Sequence, residues 1–72
     1  MSFQAYLDNI EKNTGKTIAA LVKQAEQKKL AVEGKLAPGV KAGDIVSWLK
    51  TEYKLGHGHA MGFYAYLTGK RA

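Results

Sequence analysis

Phe3, Tyr6, Leu7 and Ile10 stand at i, i+3, i+4 and i+7, the spacing that lays apolar side chains along one face of a helix. Ser2 precedes them as an N-cap and Asn13-Thr14-Gly15 follows as a stop. The pattern predicts a helix over residues 3–13, with Gly15 in the left-handed cap position. Thr17 caps a second helix, predicted over 17–30, in which Ile18, Leu21, Val22 and Ala25 form the apolar stripe. Its other faces, from Lys23 to Lys29, read as solvated surface. Residues 31–42 contain Gly34, Pro38 and Gly39 and no helical period. They read as an irregular connection with a tight turn at Pro38-Gly39, from which Leu36 and Val40 tuck against the core. A third helix is predicted over 43–54, burying Ile45, Leu49 and Tyr53, with Val46 and Trp48 widening its face. Asp44 falls in its first turn, where a carboxylate complements the helix dipole. In a fourth, over 58–68, Ala60, Phe63, Tyr64 and Leu67 repeat the first spacing. No alternating strand, internal repeat or low-complexity tract interrupts the series, so the expected fold is all-α, a compact four-helix single domain over 1–72.

Composition narrows the function. Seventy-two residues without cysteine exclude a disulfide framework and a thiolate metal site, leaving packing, or a dimer, to supply stability. Eleven Lys and Arg against six Asp and Glu give a net charge of +5, which favours anionic partners. Ten of the eleven cations are Lys, and Arg71 is the one guanidinium. Lysine acts as a point charge, whereas reading base edges leans on Arg, so contact with a nucleic-acid backbone without sequence preference is the expectation. The opening Met1-Ser2-Phe3-Gln4 has no basic segment leading into an apolar run, and no stretch nears the ~18 apolar residues that span a bilayer. A cytoplasmic chain with no membrane partner is expected.

Catalysis finds little to work with. Ser2 and Ser47 have no base at a recognisable spacing, and the six carboxylates read as ordinary surface charges among lysines. The expectation is a non-enzyme without cofactor. Gly15-Lys16-Thr17 is similar to the end of a phosphate-binding P-loop, but Ile10 occupies the place of the required first glycine and no strand precedes it. Thr17 is therefore read as a helix cap. His57 and His59 could meet one metal in an extended loop but diverge by about 200° on a helix. Zinc needs three or four ligands, and nothing in the spacing recruits Asp44 or Glu52, so no metal site is expected. The aromatics of the C-terminal half read mostly as core, with Trp48 and Tyr66 nearest the surface. An apolar patch around those two would mark the alternative function, a protein-interaction or dimerisation domain.

The stretch Leu55-Gly56-His57-Gly58-His59-Ala60-Met61-Gly62 carries the most chemistry. Glycines on either side of one residue, directly before a helix, can leave backbone N–H groups free to hold an anion. The bland alternative is a tight interhelical turn whose two glycines supply positive φ. Over residues 44–67 the spacing resembles the helix-hairpin-helix module of DNA-binding proteins, with Gly56, Gly58 and Gly62 on the glycine and small-residue positions and Leu55 on the preceding apolar one. That resemblance implies hairpin amides on a DNA phosphate and close packing of the two hairpin helices at the small residue. His57 departs from it, standing where the module has an aliphatic residue. The predicted nucleic-acid-binding set is Gly56, His57, Gly58 and His59, surrounded by Lys41, Lys50, Lys54 and Lys70.

Met1-Ser2-Phe3-Gln4-Ala5-Tyr6-Leu7-Asp8-Asn9-Ile10, Thr14-Gly15-Lys16-Thr17 and Gly39 to Lys50, continuing to Leu55-Gly56-His57-Gly58-His59-Ala60, carry a likeness across nearly the whole chain. In them the chain resembles a small bacterial family recorded as a domain of unknown function, in which the Leu-Gly-His-Gly-His-Ala run is the most specific signature. The resemblance implies a bacterial cytoplasmic setting and domain boundaries, and it implies no activity. Residues 31–35 look longer than the family pattern, which suggests a loop insertion.

Overall fold

The computed structural model describes residues 2–69. Four helices are formed: α1 Phe3–Thr14, α2 Ile18–Gln27, α3 Ala42–Tyr53 and α4 His57–Leu67, with strands β1 Ala31–Val32 and β2 Lys35–Leu36 between α2 and α3. The fold is mostly helical but not purely so. Three helices match the apolar periodicity to within a residue at each end, and α2 stops three residues early. Its end is a Schellman turn: Lys29 takes a left-handed φ of 64°, the Leu30 N–H donates to the Ala25 carbonyl at 2.8 Å, and the Lys29 N–H donates to that of Glu26.

The expected irregular connection over 31–42 is corrected by the hairpin inside it. Ala31 pairs with Leu36 and Val32 with Lys35 in an antiparallel ladder. The two linking residues, Glu33 and Gly34, both have positive φ (52° and 77°), the requirement of a type I′ turn. Ala31 and Ala37 are buried, so the segment is a packed element and no loop excursion. The Glu26 carboxylate accepts the Gly34 N–H at 2.8 Å and ties the hairpin tip to α2. The Pro38-Gly39 turn forms as expected, closed by the Val40 N–H on the Ala37 carbonyl.

Ile10, Leu21, Ile45, Leu49, Phe63 and Leu67 are fully buried and join all four helices in one core. Helix α4 has no charged residue and is apolar on most sides, the mark of a central helix. It packs on α3, on α1 and on β2. Its contact with α1 is close at Gly62, where a Cβ would lie 3.7 Å from Cβ of Tyr6 and 3.9 Å from Cδ1 of Ile10. Among the described residues no helix is long and apolar enough to cross a membrane.

Candidate anion-binding site

A helix begins with four backbone N–H groups that have no partner within it. Three helices of this chain satisfy some of them with side chains. Ser2 Oγ accepts the Ala5 N–H on α1. Thr17 Oγ1 accepts the Ala20 N–H on α2, and Glu11 reaches across from α1 to accept the Ile18 N–H at 2.7 Å. On α3 the Asp44 carboxylate accepts the Lys41 N–H at 3.0 Å. Helix α4 has none of this. Its N-cap is Gly56, which offers no side chain, and its first backbone bond is from the Ala60 N–H to the Gly56 carbonyl. The N–H groups of Gly56, His57, Gly58 and His59 therefore have no acceptor among the described residues. Gly56, His57 and Gly58, which carry three of these four donors, are exposed, and His59 is half-buried.

The local path explains this opening. Lys54 ends α3 in a left-handed conformation (φ 54°), and buried Leu55 anchors the crossing into the core. Gly56 then takes an extended backbone (φ −65°, ψ 156°) and the next residue is already helical. Neither Gly56 nor Gly58 has positive φ, contrary to the tight-turn reading; the left-handed residue is Lys54. Gly62 likewise packs against Tyr6 and Ile10 of α1, not against α3 as the helix-hairpin-helix likeness implied.

The predicted residues do not all assemble. Lys50 and Lys54 are exposed one turn apart on α3, and Lys54 is two residues from Gly56. Lys41 lies at the other end of α3, about 20 Å from Lys54 along the axis at 1.5 Å per residue, and is not part of the site. Lys70 lies outside the described residues. His57 is exposed, while His59 is half-buried with its ring edge-on to Tyr6, centroids 5.5 Å apart. His59 Nε2 is buried without a hydrogen-bond partner. Among the described residues no three His, Asp or Glu side chains gather where they could hold a metal ion.

Asp8, Glu33, Asp44 and Glu52 are exposed, as the surface reading expects, but the carboxylates also serve the fold. Five of the six accept a specific bond: Asp8 from Gln4, Glu11 from Ile18, Glu26 from Gly34, Asp44 from Lys41 and Glu52 from Trp48. Trp48, expected near the surface, is buried, 8% exposed, and its Nε1–H donates to Glu52 at 2.7 Å, while Tyr66 is half-buried. Val32 is the exposed large apolar side chain among the described residues. Glu52 also pairs with Lys28 at 3.2 Å, between two open clefts of about 440 and 400 Å³ on the α2–α3 face.

Residues 2–69 match the family described as a domain of unknown function, DUF4287. The chain belongs to that family. The match takes in all four helices and the hairpin of this DUF4287 chain. No curated protein and no solved structure matches it.

Proposed function

We propose that this DUF4287 domain is a non-enzymatic binding module that holds phosphate groups of nucleic acid at the open N-terminus of α4. One observation carries the reading. Of four helix starts, α4 alone among the described elements has no side chain on its leading N–H groups, and three of the four residues that carry them are exposed. Aligned peptide dipoles place a partial positive charge at that end, and α4 contains no acidic residue to offset it. Lys50 and Lys54 add full charges alongside. Lysine and main-chain donors recognise the phosphodiester and ignore the base pair, so binding is weak and independent of duplex sequence. The reading needs no cofactor, no metal and no second protein, and it places the domain in the cytoplasm beside its polyanion.

The test is substitution of Gly56 by Asp. The backbone there is extended and a Cβ meets nothing within 4 Å, so the side chain is accommodated and caps α4 from within. The expected result is an unchanged or slightly raised melting temperature together with loss of fluorescence-anisotropy binding to a labelled duplex. For wild type, two or three phosphate contacts predict that affinity falls about 10- to 40-fold between 50 and 200 mM salt. Full binding by Gly56→Asp would refute the site.

A further inference from the structure

Helix α2 and the hairpin are tied to each other by their own bonds. The Glu26 carboxylate accepts the Gly34 N–H, the Leu30 N–H donates to the Ala25 carbonyl, and the Ala37 N–H donates to that of Leu30. The unit ends on each side at a turn around an exposed left-handed glycine, Gly15 (φ 71°) before it and Gly39 (φ 82°) after it. We infer that α2 and the hairpin form one flap, hinged at those two turns and clasped to α3, whose opening controls access to the α2–α3 face. The inference stands apart from the α4 site and does not depend on it.

Burial is divided unevenly across that boundary. Of the largest fully buried side chains among the described residues, Ile10 is on α1, Ile45 and Leu49 are on α3, and Phe63 and Leu67 are on α4. The flap supplies one, Leu21. Its other buried residues are Ile18 and three alanines, Ala25, Ala31 and Ala37. Helix α4 packs on both α1 and α3, so those three helices keep their common core when the flap leaves. A segment with few large buried side chains is the one that opens below the global unfolding free energy. The backbones of α2 and α3 scarcely approach each other, and polar side chains bridge the gap. The Tyr53 hydroxyl donates to Gln24 Oε1 on α2, and Lys28 at the end of α2 pairs with Glu52 at 3.2 Å. An ion pair this exposed contributes little, and a single neutral hydrogen bond only modestly more, so both clasps release readily. The clefts of about 440 and 400 Å³ lie to either side of the Lys28–Glu52 pair, where the two helices fail to close on each other. Opening joins the clefts into one groove along α3. Lys28 and Leu30 line the same cleft as Trp48, and their departure exposes the indole together with the hydroxyls of Ser47 and Thr51. Glycine hinges allow the swing because left-handed backbone costs them nothing.

Native-state hydrogen exchange of the full chain, read amide by amide at low urea, tests the flap without any variant. Leu21, Ala25 and Ala37 are expected to share one opening event, with protection about tenfold or more below that of Ile10, Leu49 and Phe63. Tyr53→Phe removes one clasp and keeps the ring. It is expected to lower protection by a further threefold or so in α2 and the hairpin only, and to raise acrylamide quenching of Trp48 fluorescence. Equal protection in all four helices would overturn the flap, because α2 would then open only with the whole domain. A Tyr53→Phe effect spread evenly over the chain would do the same. Opening of α2 with the Ala37 amide still fully protected would overturn the single unit.

Discussion

Lys54 holds a left-handed backbone (φ 54°) at the point where the chain leaves α3 and turns into the open end of α4. For a residue with a Cβ that conformation costs about 1 kcal/mol, a cost glycine does not bear. A lysine there is therefore suboptimal for stability, and the proposed site gives it a use: a charge beside four free N–H groups. Lys54→Gly separates the two roles. Chemical denaturation is expected to show stability raised by about 0.5–1 kcal/mol, roughly 2–8 °C in melting temperature. Anisotropy is expected to show weaker duplex binding, with the salt dependence reduced by about one phosphate contact. If stability and affinity both fall, Lys54 serves the turn and not the ligand.

Elements were legible in the chain where side-chain spacing specifies them, and obscure where the backbone does. The stripes from Phe3 to Ile10, Ile18 to Ala25, Ile45 to Tyr53 and Ala60 to Leu67 place four helices, because burying one face leaves a periodic trace. The Schellman turn at Lys29 and the hairpin at Glu33-Gly34 leave little trace. Left-handed residues are usually announced by Gly or Asn, and here Lys29 and Glu33 occupy two of the three such positions, with Gly34 at the third. Two-residue strands are also too short for alternation to show. At the site, the glycines pointed to an open helix start, and the predicted length of α3 already sets Lys41 about 20 Å from Lys54, a separation the proposed set overlooked. The roles of Glu11 and Glu26, by contrast, depend on partners seven and eight residues along the chain. Glu26 makes an element-scale prediction. Its bond to the Gly34 N–H is charge-assisted, and such bonds contribute about 1.5–3 kcal/mol. Glu26→Ala is expected to cost about 1–2 kcal/mol and to speed hydrogen exchange at Gly34 and Ala37 more than in α4. Uniform acceleration across the chain would mean that the hairpin unfolds only with the whole domain.

At the scale of the molecule, charge is divided by task. Carboxylates are drawn into caps and ties within the fold, and Lys28 is the lysine among the described residues that pairs with one, leaving the others to set the outward potential. This arrangement makes acid the natural stress, and Glu52 reports it. The Trp48 indole N–H, with Lys28 beside it, holds the Glu52 carboxyl below its ordinary value of 4.5. The folded state therefore binds this proton less readily than the unfolded chain. Its contribution is complete above about pH 4.5 and is lost as pH falls from there through the lower folded-state value. Trp48 is the only tryptophan and sits on the bond itself, so its fluorescence follows both local protonation and global unfolding. Glu52→Gln keeps an acceptor for the indole but cannot titrate and leaves Lys28 without its partner. Urea titrations from pH 7 to pH 3 are expected to show the variant less stable than wild type at neutral pH, with the gap narrowing below pH 4.5. The other carboxylates are common to both proteins and cancel in that difference. A gap that stayed constant across the range would show that the charge of Glu52 is not what separates the two proteins.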